Sequence, residues 1–193
     1  GFVNSQEFKN LAATFGINPG SLTFSGIRST PIEASSKISG SPHFIESVNT
    51  ALNILRQHDP IVYAQYEHIN KIQEADLRAF GASGVANTAR VVYIDYEYGH
   101  KGYADTPRII ELALTLSHEF NHVMNIPSWS TLTTVELEKL AIIQELNTAK
   151  RIGAGPSYIT YLEWVLNNID NPSIWWWRSA RMFSNEQIIL MRN

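Results

Sequence analysis

Apolar residues recur at helical spacing in four stretches of this chain, and the residues that flank each stretch predict its ends. The first stretch starts at Ser41 and Pro42, an N-cap and a proline suited to the first helical turn, and should stop before Pro60. The second starts at Thr106, followed by another proline, and runs through His122. Its apolar residues lie nearly all round the helix, which predicts a helix buried in the core.

Two more helices are predicted further along the chain. Thr133 and Glu136 fit a capping box, and Gly153 follows a basic last turn, so one helix should fill the interval between them. The stretch GPSYITYLEWVLNNI, residues 155–169, predicts a final helix. Beyond it, Trp175–Trp177 should pack against the domain or form an exposed interaction patch.

The clearest strand lies between the first two predicted helices. Residues Ala89–Gly99, ARVVYIDYEYG, are rich in β-branched and aromatic side chains. Residues 61–75 fit a helix or a strand, and residues 1–41 lack periodicity and are rich in small polar residues, glycine and proline. The order of elements predicts an α+β fold, mostly helical with a small sheet, in which residues 42–193 form one domain preceded by an extended arm or linker of residues 1–41.

The composition narrows the class of protein. The chain has 193 residues, of which 44% are hydrophobic and 17% charged, and this fits one globular domain. A net charge of −3 without a basic run disfavours a nucleic-acid partner, and no apolar run approaches the roughly 18 residues of a membrane span. The absence of cysteine excludes disulfides and thiolate metal sites.

The candidate chemistry lies at the end of the second predicted helix, in the sequence LSHEFNHVMNIP, residues 116–127. His118 and His122 stand four apart, so both imidazoles should project from one face and could ligate one ion at about 2.0–2.1 Å. Glu119 is displaced by about 100° around the helix, which places it to take a proton from a water molecule on that ion. The H-E-x-x-H pattern therefore predicts two metal ligands and a general base.

A structural role is the alternative for these three residues. Two histidines and a glutamate in a buried helix need polar partners, because burying them unpaired is costly. Other polar groups of the core could supply those partners as well as a metal ion could.

The segment His118–His122 resembles the signature of zincin metallopeptidases. The layout around it, a proline-started helix carrying LSHEFNH and then a glutamate-bearing helix ending ELNTAKRIGAG, is similar to the metallopeptidase domains of secreted bacterial effectors and toxins. The resemblance covers residues 106–153. It implies a zincin-like fold with a small sheet bordering the active-site cleft, a Zn²⁺ cofactor, secretion or delivery into a target cell, and a cognate immunity protein as partner.

A catalytic zinc ion keeps three protein ligands and one open position, so a third ligand is needed. The metzincin pattern fails, because Ser128 stands where that pattern places its third histidine. The gluzincin pattern takes a glutamate from the following helix, and the resemblance then implies His118, His122 and Glu145 as ligands, with Glu119 as the base.

The following helix offers two glutamates for this role. Glu145 is favoured because it lies in an apolar stripe, where a carboxylate needs a partner. Glu138 lies on the same stripe two turns earlier and is the alternative. The best-known gluzincins carry an acidic residue four positions after the ligand, to orient a histidine, but this chain has Ala149 there.

These residues predict a zinc-dependent endopeptidase that acts on a protein or peptide substrate, with Glu119 accepting the proton of the attacking water and passing it to the leaving nitrogen. A further donor would stabilise the oxyanion, and the sequence does not choose among Tyr158, Tyr161, His100 and Arg151. Two alternative functions stay open. One is a zinc hydrolase of a non-peptide bond such as a cell-wall amide, and the other is a zincin-like binding module without catalysis.

Overall fold

The computed structural model describes residues 36–99 and 105–171, all of which belong to one compact unit. The predicted α+β class is confirmed. The helices are α1 (Pro42–His58), α2 (Pro60–Ala64), α3 (Tyr96–Gly99), α4 (Arg108–Met124), α5 (Thr134–Ile152) and α6 (Pro156–Asn168), and the strands are β1 (Ile38–Ser39), β2 (Lys71–Glu74), β3 (Gly84–Ala86) and β4 (Val91–Ile94). None of the helices in the described ranges is long and apolar enough to cross a membrane.

The local signals at the helix ends act as predicted. The side chain of Ser41 accepts a hydrogen bond from the backbone of Phe44 at the start of α1. At the start of α5, Thr133 and Glu136 form the reciprocal bonds of a capping box. Gly153 ends α5 in the left-handed region, at φ 75°, where a residue without Cβ is favoured.

The start of α4 differs by one residue from the prediction, which had Thr106 as the N-cap and Pro107 as the first helical residue. The hydroxyl of Thr106 does not cap α4 but accepts the backbone N–H of Gly155 at 2.9 Å, and the helix begins at Arg108. The segment before α4 is thereby tied to the start of α6.

The four strands form one sheet in the order β1-β2-β4-β3. The first two pairs of neighbours are parallel, and β3 runs antiparallel to β4 at one edge. The strand β1 lies inside the predicted arm of residues 1–41, whose residues 1–35 are outside the described part of the chain.

The predicted strand Ala89–Gly99 is wrong in its second half. Pairing ends at Asp95: its N–H makes the last bond to the neighbouring strand, at 3.0 Å to Ser83, and its buried carboxylate accepts the backbone N–H of Leu77 at 2.7 Å. The chain then turns into the short helix α3. The strand β4 lies inside the sheet, so β3 takes the edge position among the described strands.

The helix α4 lies between two hydrophobic cores, as its apolar surface predicts. Leu112, Leu116 and Phe120 are buried against residues of α1, β2 and β4. On the opposite side, Leu114 is buried together with residues of α5 and α6. Because α4 is enclosed on both sides, its polar residues must find partners within the fold.

Candidate metal centre

The two histidines of α4 face each other across one turn, as their spacing predicts. Their ring centroids lie 4.9 Å apart, and the Nε2 atoms of His118 and His122 are 3.1 Å apart. The side chains are only 17% and 13% exposed. Both side chains are therefore largely buried but still partly accessible to water.

The packing of α5 against α4 brings two glutamates to this pair. One carboxylate oxygen of Glu138 lies 3.3 Å from Nε2 of His118, and the other lies 3.3 Å from Nε2 of His122. Glu145 approaches from the other side of the same imidazole, with Oε2 at 2.9 Å from Nδ1 of His118.

Of the two candidates for the third ligand, Glu138 is the one whose carboxylate approaches both histidines. His118, His122 and Glu138 form a group whose ligand atoms all lie within 4.8 Å of one another and could hold a metal ion. The sequence favoured Glu145, but the structure places Glu145 on the nitrogen of His118 that faces away from His122. Both glutamates lie on the predicted stripe of α5. They are two turns apart along the helix, so they contact different nitrogens of His118.

The donor set of the group fits a divalent ion of the zinc type. Two imidazole nitrogens and one carboxylate oxygen are the three protein ligands of one common kind of catalytic zinc site. A tetrahedral ion with ligands at about 2.0–2.1 Å holds its ligand atoms about 3.3 Å apart. The two Nε2 atoms lie 3.1 Å apart, and each lies 3.3 Å from a different oxygen of the Glu138 carboxylate, so the spacing is close to the one that an ion requires.

Glu145 is held from its second oxygen by a residue of α6. The hydroxyl of Tyr158 donates a hydrogen bond of 2.7 Å to Oε1 of Glu145. Both side chains are buried, at 7% exposure each. The sequence analysis treated Tyr158 as one of four candidate oxyanion donors, and its hydroxyl is instead directed at a carboxylate behind the histidines.

Glu119, the predicted general base, has different surroundings from the two histidines. It is buried, and its Oε2 has no hydrogen-bond partner among the described residues. Burial raises the pKa of this carboxyl group, although the positive charge of the nearby histidines opposes the shift. A buried carboxylate with one unpartnered oxygen beside a metal-binding group is suited to accept a proton from a bound molecule.

The close approach of β3 encloses Glu119. A Cβ atom added at Gly84 would lie 2.9 Å from both Cγ and Oε1 of Glu119, and 2.9 Å from Cγ2 of Thr115. These distances are shorter than real Cβ contacts, so the strand can lie here only because residue 84 is glycine. No pattern in the sequence indicates Gly84, because its role depends on how β3 packs against α4.

Charges within the cluster set its protonation when no metal is bound. Burial disfavours the protonated form of His118, but hydrogen bonds to Glu138 and Glu145 outweigh it and raise the pKa of His118 well above its ordinary value. Burial likewise works against ionised Glu138, and the two histidines outweigh it and lower the pKa of that carboxyl group. In the metal-free protein, a proton on His118 thus supplies the positive charge that a bound metal ion would otherwise supply.

The other predicted oxyanion donors are not brought to this group. Arg151 donates to the buried carboxylate of Asp59 at 2.7 Å. Tyr161 is 42% exposed on α6 and its ring contacts that of Tyr158. His100 and Trp175–Trp177 lie outside the described residues.

The stability of the metal-free protein should fall as the pH rises above about 6.5, the ordinary pKa of histidine. The raised pKa of His118 means that the fold holds a proton the unfolded chain releases, so this stabilisation is complete below that pH and is lost as the pH passes through the raised pKa. The raised pKa of Glu119 acts in the same direction.

Thermal unfolding with chelator and with excess Zn²⁺, across a pH series, checks this expectation. The zinc-loaded protein should lack the alkaline loss, since an ion replaces the proton. His68→Gln, a change at an exposed histidine, should leave both profiles unchanged. Parallel profiles with and without metal would contradict the expectation.

Comparison with protein-family models, with characterised proteins and with solved structures gives no significant match to this chain. The resemblance to zincins therefore rests on the residues of the site.

Proposed function

We propose that this chain is a zinc-dependent peptidase in which His118, His122 and Glu138 hold the ion and Glu119 is the general base. One observation carries the proposal: the Nε2 atoms of His118 and His122 lie 3.1 Å apart, each is 3.3 Å from an oxygen of Glu138, and the helix of the two histidines also carries a buried carboxylate, Glu119, whose Oε2 has no partner among the described residues. If the buried polar groups served only as hydrogen-bond partners for the two histidines, the fold would not need a buried carboxylate oxygen without a partner.

The residues divide the chemistry between them. When bound, zinc would supply an acidified water and polarise the carbonyl group of the substrate. Glu119 takes a proton from the attacking water and delivers it to the leaving nitrogen, a role favoured by its raised pKa. Glu145 fixes the ring of His118 through Nδ1, which leaves Nε2 of that ring free to ligate.

The outer edge of β3 supports a peptide as the substrate. Backbone bonds to β4 are made at Ser83 and Asn87, and pairing alternates along an antiparallel strand, so Gly84 and Ala86 direct their N–H and C=O groups away from β4. No other described strand covers this edge. An extended peptide paired there would lie beside Glu119.

Gly84→Ala should lower the turnover number while leaving zinc bound. The new methyl group overlaps the carboxylate of Glu119 and must displace it, and a shift of about 1 Å in a reacting group can cost about 100-fold in rate. Peptide hydrolysis and zinc content, measured on the same preparation, test this. Ala86→Ser adds an atom on the same strand and face and should leave Glu119 in place. Equal turnover numbers for Gly84→Ala and wild type would contradict the role given to this contact.

Incubation of the zinc-loaded protein with a peptide library, with mass spectrometry to find new termini, tests the proposed activity. Peptidoglycan digestion in parallel tests the alternative of a cell-wall amide hydrolase. Cleavage of peptides that stops with chelator and returns with Zn²⁺ supports a peptidase. Muropeptide release without peptide cleavage would replace it with the amide hydrolase. Tight binding of a partner by the metal-free protein, without turnover of either substrate, would favour a binding module.

Secretion, delivery into a target cell and a cognate immunity protein are proposed on the resemblance to bacterial effector and toxin domains alone. Co-expression with the products of neighbouring genes tests this part. A neighbour that binds the protein and suppresses its toxicity would support it, and a protein that is harmless when produced inside bacterial cells would speak against it.

A further inference from the structure

We infer that Tyr158 is a positioning residue for the metal centre: its hydroxyl orients Glu145, and Glu145 in turn fixes the imidazole of His118 for metal binding. The inference rests on the proposed metal site and assigns a residue to it from a third helix. Neither the H-E-x-x-H pattern nor the spacing of the glutamates contains this residue.

A series of hydrogen bonds connects the three helices α6, α5 and α4. Tyr158 of α6 donates to Oε1 of Glu145 at 2.7 Å. Oε2 of the same carboxylate of α5 lies 2.9 Å from Nδ1 of His118 on α4. The opposite nitrogen of that ring, Nε2, faces His122 and Glu138. The hydroxyl of Tyr158 is therefore connected through both oxygens of Glu145 to the imidazole of His118.

The order of these bonds determines which nitrogen of His118 ligates. A carboxylate on Nδ1 accepts the proton of that nitrogen, so the lone pair is left on Nε2. The carboxylate can hold this position only if its own rotation is fixed, and the bond from Tyr158 fixes it. Without the hydroxyl of Tyr158, Oε1 of Glu145 would be buried without this hydrogen-bond donor. Rotation of the carboxylate towards another partner would then weaken its bond to Nδ1 of His118.

The first turn of α6 is anchored so that Tyr158 cannot drift. Asp105, which precedes α4, accepts the backbone N–H of Ser157 at 2.8 Å and its hydroxyl at 2.7 Å. The neighbouring Thr106 accepts the backbone N–H of Gly155 at 2.9 Å. The chain that enters α4 therefore also fixes the helix that carries Tyr158. The segment Asp105–Thr106 therefore ties the start of α4, which carries His118, to the start of α6, which carries Tyr158.

Zinc affinity, measured by competition with a chromophoric chelator, tests the inference on wild type and Tyr158→Phe. The variant keeps the buried ring and loses only the hydroxyl, and we expect its affinity to fall about 10-fold, as for changes behind a metal ligand. The absorption spectrum of the Co²⁺-loaded protein should also change, because the orientation of one ligand changes. Tyr93→Phe is the matched control, since Tyr93 is 5% exposed but lies in a separate core with Leu77 and Val85.

A double-mutant cycle with Glu145→Gln separates positioning from general loosening of the fold. If Tyr158 acts through Glu145, adding Tyr158→Phe to Glu145→Gln should cause little further loss of affinity. Wild-type affinity and an unchanged Co²⁺ spectrum in Tyr158→Phe would overturn the inference and leave the metal site standing, and so would two fully additive losses. A wild-type protein that binds no Zn²⁺ would overturn the proposed function, and this inference with it.

Discussion

Glu119→Gln should abolish peptide hydrolysis and leave zinc binding intact. Glutamine has nearly the same shape as glutamate but cannot take a proton from water, and removing a general base costs about 100-fold to 10,000-fold in rate. The position favours a neutral side chain, because Glu119 is buried and its pKa is raised. The variant should therefore be at least as stable as wild type, and the loss should fall on the turnover number.

Turnover, zinc content and melting temperature of the same preparation distinguish this outcome from misfolding. Glu136→Gln is the matched control, because Glu136 lies exposed in the capping box of α5 and glutamine also fits that motif. It should retain full activity. If Glu119→Gln kept wild-type turnover with zinc bound, another group would be the base and the assignment of Glu119 would be wrong.

Glu138→Ala should release the metal, and Glu145→Gln should only weaken its binding. Zinc sites with four protein ligands bind with about 10–16 kcal/mol, which is about 3 kcal/mol for each ligand, so losing one ligand lowers affinity by about 100-fold or more. The change at Glu138 also removes a carboxylate within 3.3 Å of both imidazoles. Zinc retention during dialysis against a graded chelator series measures both variants.

The order of the two effects decides between the glutamates. Glu163→Ala is the control, since Glu163 is half exposed on α6 and pairs with Lys150, and its loss should leave the affinity unchanged. A larger loss for Glu145→Gln than for Glu138→Ala would restore Glu145 as the third ligand, the assignment that the sequence favoured.

The helices and the histidine pair could be predicted because their signals are local. Capping at Ser41 and Thr133 and the stop at Gly153 involve residues within one turn of each helix end. The two histidines share a face by helix geometry alone. The strand Ala89–Gly99 was predicted too long, because its end depends on a bond between Asp95 and Leu77, which are distant in sequence.

The third ligand could be narrowed to two residues but not chosen from the sequence. Periodicity places Glu138 and Glu145 on the same stripe, and it contains no information on how far α5 slides along α4. Bonds between residues distant in sequence set that register: Gln144 donates to the backbone of Ser117 at 2.6 Å and accepts from the side chain of Asn121 at 3.0 Å. The roles of Gly84 and Tyr158 depend on the same packing, so no pattern along the chain could indicate them.

A crystal structure of the zinc-loaded protein, with anomalous diffraction collected at the zinc edge, would locate the ion among its ligands. The proposed zinc site requires one peak at about 2.0–2.1 Å from Nε2 of both His118 and His122 and about 2.0–2.2 Å from a carboxylate oxygen of Glu138, with the fourth position taken by a non-protein atom. A peak bonded to Glu145 in place of Glu138, a fourth protein ligand, or no peak between the histidines would contradict it.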